Sequence, residues 1–237
     1  MNRQFFVKTQ DNVQIALNNY CNDKDEVVII APGWCMTKDS KAFKQISEMF
    51  VPKFDVITFD FRGHGKSGGF YTFSAKENLD LQAVLDFAKN YKKIYLVGFS
   101  LGGAVVLIEA ANNKRIHKVI AVSAPCDFDK IENFMWKKEA WGETFKKFEL
   151  ERFLSIRPGL IMHKKIRPID VVDKIEVPTL FIAGKKDPTV YSWHTKQLCD
   201  KAICPKAFKL FENGFHAEDL YLHFKDEFSR ICLEWLN

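Results

Sequence analysis

Three residues able to form a proton relay stand far apart in this 237-residue chain. Ser100 lies in Gly98-Phe99-Ser100-Leu101-Gly102, a G-x-S-x-G pattern. Asp187 lies in Gly184-Lys185-Lys186-Asp187-Pro188, and His216 in Asn213-Gly214-Phe215-His216. A serine hydroxyl is a poor nucleophile at neutral pH and needs a base within hydrogen-bond reach. Histidine is the usual base, held in one orientation by a carboxylate. Such a set attacks carbonyl carbons. The order serine, aspartate, histidine along the chain is the one expected when the nucleophile sits on a strand-to-helix turn.

The surroundings of each residue supply the elements that would bring the three together. Lys93–Val97 is a short apolar run suited to a buried strand, and Gly103–Ala111 is rich enough in Ala and Leu for a helix. The flanking glycines allow the tight turn between them that projects a serine hydroxyl away from the backbone. Asp187 directly follows the strand pattern Pro178–Gly184, and His216 directly follows Ala207–Phe211. In a parallel sheet, residues just past the C-terminal strand ends converge on one edge. Ser100, Asp187 and His216 therefore belong on the same edge.

The rest of the chain fits that sheet. Phe5–Lys8 and Val13–Leu17, on either side of Asp11-Asn12, read as a hairpin. Glu26–Ala31, Phe54–Phe61 and Lys118–Ala124 read as further strands, with a helix over Ser40–Phe50 and another opened by Ser74-Ala75-Lys76-Glu77 as a capping box. A helix near Tyr191–Lys201 and a closing helix from Ala217 to Leu236 complete the pattern. Alternating strands and helices imply right-handed crossovers and a mostly parallel sheet with helices on both faces. Residues 125–175 differ. Phe134, Met135, Trp136, Trp141, Phe145, Phe148 and Phe153 alternate there with Lys and Glu, which predicts a small helical insertion in a single domain spanning 1–237.

Composition narrows the function classes. A net charge of +5 arises from 35 basic and 30 acidic residues that are interspersed, without a basic block or nucleic-acid motif, so a nucleic-acid partner is not expected. Six cysteines lack C-x-x-C spacing, which argues against zinc and for reduced thiols in the cytoplasm. Charged and polar residues follow Met1 at once, so no signal peptide is read. No run approaches the ~18 apolar residues of a membrane span, so stable membrane insertion is not expected.

Four separated motifs give the chain a resemblance to the α/β-hydrolase superfamily, in its small-cap, esterase-like serine hydrolase branch. Asp60-Phe61-Arg62-Gly63-His64-Gly65-Lys66-Ser67 is similar to that family's D-x-R-G-x-G-x-S loop. Gly98–Gly102 resembles its nucleophile elbow, Gly184–Asp187 its acid loop, and Gly214–His216 its histidine loop. The insertion falls where the family carries a cap, after the sixth strand. The resemblance implies Ser100 as nucleophile, His216 as general base and then acid, and Asp187 as the group orienting His216. It implies an oxyanion hole from the backbone N–H of Leu101 and that of Trp34, with Cys35 as the alternative donor. Relatives commonly have His-Gly in that loop where this chain has Pro32-Gly33.

The expected activity is cleavage of an ester, or a thioester, of a short to medium acyl or small aryl acid through an acyl-enzyme. No cofactor or metal is implied. Cys35, Met36, Phe134, Trp136 and Trp141, together with Trp34, are expected to line the substrate pocket. Asp127 is the substitute acid. His64 is expected to structure its loop, while His117, His163, His194 and His223 lack motif context and read as surface or packing residues. The same three residues would serve a peptidase, an amidase or an acyltransferase, and a non-catalytic binding protein on this scaffold is the reading from another class. The physiological substrate and the oligomeric state are not legible.

Overall fold

Eight strands join into one sheet in the computed structural model of the chain, which describes residues 2–131, 155–160 and 165–237. Strands β1 (Asn2–Lys8) and β2 (Gln14–Tyr20) form the antiparallel hairpin, turning at Asn12 with φ 66°. Six parallel strands follow: β3 (Glu26–Ala31), β4 (Asp55–Phe59), β5 (Lys93–Phe99), β6 (Ile116–Val122), β7 (Thr179–Gly184) and β8 (Lys206–Phe211). The order across the sheet is β1-β2-β4-β3-β5-β6-β7-β8. The chain steps from β3 to β4 on one side and then to β5 on the other. That reversal opens a crevice at the C-terminal ends of β3 and β5, where α/β sheets bind ligands.

Both faces of the sheet are covered, which is why its central strands read as continuous apolar runs rather than alternating ones. Along β3, Val27 and Ile29 enter one core and Val28 and Ile30 the other. The first core packs under α2 (Glu77–Phe87), α3 (Leu101–Ala110) and α4 (Ser192–Lys201), through residues such as Leu81, Val106 and Leu198. The second packs under α1 (Lys41–Phe50), α5 (Glu218–His223) and α6 (Lys225–Leu236), through Phe43, Leu220 and Phe228. Among the described residues, no helix is long and apolar enough to cross a membrane.

Two local expectations are corrected. Ser74 does not cap a helix. Phe73 and Ser74 have φ of 54° and 74°, outside the extended region an N-cap needs, and α2 begins only at Glu77. The Glu77 carboxylate instead accepts from Thr72 N at 2.8 Å and from Thr72 Oγ1, closing the preceding turn. The closing helix is also two helices. Phe224, at φ −127° and ψ 43°, interrupts it and packs its ring 5.3 Å from Phe211. Apolar spacing continues across that break, so periodicity did not mark it. The predicted helical insertion lies mostly outside the described residues; within them, 128–130, 168–170 and 172–174 form short 3-10 turns.

Candidate active site

Ser100 occupies the turn between β5 and α3 with φ 52° and ψ −115°, a conformation that strains any residue bearing a side chain. The turn is held from both sides: the Ser100 N–H donates to the Val122 carbonyl at 2.8 Å, and the Ser100 carbonyl accepts from Ala104 N–H at 3.1 Å. Crowding explains the two glycines of the motif. A Cβ at Gly98 would collide with the Gly102 carbonyl, and one at Gly102 with the carbonyl of Ala31 on β3. Their absence lets α3 start close against the sheet.

Two loops carry the other members. After β7, Asp187 is 3 % exposed, and its Oδ1 accepts the Thr189 and Val190 N–H groups, each at 2.9 Å. After β8, His216 is followed by Ala217 at φ 49°, whose N–H donates to Ser123 Oγ at 3.1 Å. The loops also brace each other, Lys186 N–H donating to the Gly214 carbonyl at 2.9 Å. The result is a continuous chain: Asp187 Oδ2 to His216 Nδ1 at 2.7 Å, and His216 Nε2 to Ser100 Oγ at 2.9 Å. A carboxylate only accepts, so the imidazole proton belongs on Nδ1 and the Nε2 lone pair faces the serine hydroxyl. That arrangement can draw a proton from Oγ.

The alternative acid is placed elsewhere. Asp127 Oδ1 accepts from Asp129 N–H at 3.1 Å, and Oδ2 lies 3.5 Å from Arg167 Nη1. The bond to His216 belongs to Asp187.

On the other side of Ser100 lies the loop after β3. A Cβ built on Gly33 would stand 3.4 Å from Ser100 Cβ, so this loop passes directly beside the hydroxyl. Leu101, the first residue of α3, presents its N–H at a helix N-terminus, where charge of negative sign is favoured. Neither the Leu101 N–H nor the Trp34 N–H donates to another group among the described residues. The Cys35 N–H, the alternative donor, is already engaged by His64 Nε2 at 3.3 Å.

Of the expected pocket residues, Trp34 is 38 % exposed and stacks on Tyr71 with centroids 6.4 Å apart. Cys35 is half-buried beside it. Met36, 5 % exposed, packs in the core formed with Val28 and Phe43. Phe134, Trp136, Trp141 and His163 lie outside the described residues. His194 is buried, with Nδ1 3.1 Å from Cys126 Sγ, and His117 and His223 contact main-chain carbonyls, as packing residues do. Two residues were missed as site supports. Ser123 is fully buried at the end of β6 and holds the residue after His216; no motif marks it. Asp60 was visible as the first letter of its motif, but its partners were not.

Comparison with known proteins sets the chain among others of similar sequence and fold. Residues 26–152 match the family model described as alpha/beta hydrolase fold. The human protein named serine hydrolase BPHL is 25 % identical over 90 % of this chain and 79 % of its own length. An uncharacterised Bacillus subtilis protein, YqkD, is 31 % identical over 83 % of this chain and 66 % of its own. Among solved structures, the Pyrococcus furiosus esterase Pf2001 superposes with a TM-score of 0.80 at 26 % identity, covering 100 % of this chain and 90 % of that one.

Proposed function

The chain belongs to the α/β-hydrolase family, and from that premise we propose that it is a serine hydrolase cleaving carboxylic esters, thioesters included, of short to medium acyl or small aryl acids. The observation that carries this reading is the bonded series Ser100 Oγ, His216 Nε2, His216 Nδ1 and Asp187 Oδ2, on a strained elbow at the sheet's crevice. The names of two relatives, a serine hydrolase and an esterase, support the same class.

In the proposed mechanism, Ser100 Oγ attacks the ester carbonyl as its proton passes to His216 Nε2. The new charge on the carbonyl oxygen is met by the N–H groups of Leu101 and Trp34. His216 then gives its proton to the departing alcohol or thiol, leaving an acyl group on Ser100. Water, deprotonated by His216, attacks that acyl group and releases the acid. Asp187 holds the imidazole in the required tautomer throughout. Scattered cysteines without paired spacing fit a reducing compartment, so a cytoplasmic enzyme acting on a small-molecule ester completes the proposal.

The acyl preference follows from apolar surface beside the hydroxyl. Phe215, next to His216 in the chain, and Trp34, in the loop that passes beside Ser100, are 39 % and 38 % exposed and supply that apolar surface. Burying one methylene there contributes about 0.8 kcal/mol, or roughly fourfold in kcat/KM. Across p-nitrophenyl esters from acetate to palmitate, kcat/KM should climb by up to that factor per methylene and peak below twelve carbons. A maximum at twelve carbons or beyond would overturn the short-acyl reading.

A further inference from the structure

Two buried side chains after β4 grip the loop that carries Trp34. Asp60 and His64 are 0 % and 1 % exposed. Asp60 Oδ1 accepts the Lys38 N–H at 2.7 Å and its Oδ2 accepts the Lys66 N–H at 2.9 Å, so one carboxylate joins both loops. A Cβ at Gly65, where φ is +47°, would run into that carboxyl group. His64 makes the second tie: Nε2 accepts the Cys35 N–H at 3.3 Å, and Nδ1 lies 3.0 Å from the Arg62 carbonyl oxygen. A carbonyl only accepts, so the ring proton sits on Nδ1 and Nε2 is a bare acceptor. Burial, reinforced by the nearby Arg157 guanidinium, pushes the His64 pKa down to about 4, which keeps the ring neutral at physiological pH.

The peptide that His64 holds decides the shape of the turn. Met36 N–H donates to the Gly33 carbonyl at 3.2 Å, closing a four-residue turn, and its third residue, Cys35, has φ 61°. Turns with positive φ there favour glycine or asparagine, because a Cβ is strained in that region. What separates this turn from the unstrained kind is the orientation of its central peptide, whose N–H belongs to Cys35. The bond to His64 Nε2 selects the strained orientation. The flipped peptide would aim the Trp34 carbonyl oxygen at the His64 lone pair instead, breaking the tie that fixes this loop, and Trp34 with it, beside Ser100.

We propose that His64 is a positioning residue for the oxyanion hole: its Nε2 holds the central peptide of the Gly33–Met36 turn so that the Trp34 N–H stays aimed at the substrate carbonyl oxygen. The proposal rests on Ser100 being the nucleophile of the mechanism above. His64 touches neither the substrate nor the reacting atoms.

The experiment compares His64→Gln with His64→Asn. A glutamine amide reaches the place of Nε2, whereas an asparagine amide reaches only that of Nδ1. Each variant is assayed on a p-nitrophenyl ester and on its thionoester, in which sulfur is a poor acceptor for the oxyanion hole. Losing an oxyanion donor outright costs about 10²–10³ in kcat, and a misaimed donor should cost part of that. The expected result is that His64→Asn loses at least about tenfold in kcat on the ester with KM nearly unchanged. Its ester-to-thionoester ratio should fall by a similar factor, while His64→Gln should keep that ratio within about threefold of wild type. Equal ratios in all three proteins, or His64→Asn outperforming His64→Gln, would overturn the proposal and leave only a bond to Arg62. If Ser100→Ala retains wild-type turnover, the mechanism itself fails; if Ser100→Ala is dead and the ratios do not move, only the role of His64 fails.

Discussion

The site has two halves built by different means. On one side, Ser100, His216 and Asp187 meet through side-chain bonds of 2.9 and 2.7 Å, each residue delivered by a loop at the end of a different strand. On the other, the proposed oxyanion donors are the backbone N–H groups of Leu101 and Trp34, and the side chains that tie down the Trp34 loop are Asp60 and His64, both buried. In the first half, identity is function, because a replaced side chain removes the reacting group. In the second, any residue but proline can supply an N–H, and in the proposed arrangement what matters is the buried acceptor that orients the peptide. The halves should therefore fail differently.

The largest expected effect lies in the first half. Asp187→Asn keeps the shape but can donate to His216 Nδ1, which forces the ring proton onto Nε2 and takes away the lone pair facing Ser100. The expected loss is roughly 10⁴ in kcat. It should fall equally on ester and thionoester, since the oxyanion donors are untouched. A change in the ester-to-thionoester ratio in this variant would mean that the two halves are not separable.

A smaller effect sharpens the second half through pH. The folded state holds the His64 pKa near 4, against about 6.5 in an unfolded chain. Between those values the unfolded chain binds a proton that the folded protein does not, so this residue withdraws stability as pH falls from about 6.5 to 4. Asp60 works in the opposite sense. Burial, offset by Lys38 and by two backbone N–H groups, raises its pKa to about 6, so its contribution falls as pH rises from about 4 to 6. Comparing wild type with His64→Gln isolates the histidine. By urea denaturation, the stability of wild type relative to the variant should drop by about 2 kcal/mol between pH 7.5 and pH 5. A difference that stays constant over that range would mean that His64 is not held neutral by burial.

The same contrast explains how much the sequence revealed. The sheet was legible because strands covered on both faces, such as Glu26–Ala31 and Thr179–Gly184, read as unbroken apolar runs between turn residues. Ser100, Asp187 and His216 were legible because each stands in the loop that follows a strand pattern, and strand ends in a parallel sheet share an edge. Ser123 was not, since a lone serine after a strand has no pattern, and its bond to Ala217 N–H spans 94 residues. The grip of Asp60 and His64 on Lys38 and Cys35 was hidden for the same reason: side-chain-to-backbone bonds between distant loops leave no spacing to read. The capping box at Ser74 misled because its letters suit a helix start, while the left-handed backbone at Phe73 and Ser74 depends on the turn that Glu77 closes.

Everything above depends on Ser100 being the nucleophile, and covalent labelling tests that most directly. Wild type and Ser100→Ala would each be treated with a fluorophosphonate, followed by intact-mass measurement and peptide mapping. The prediction is a single adduct on the peptide containing Gly98–Gly102, located on Ser100, and no adduct on a folded Ser100→Ala protein. An adduct of equal yield that persists in Ser100→Ala, or one mapped to another residue in wild type, would contradict it.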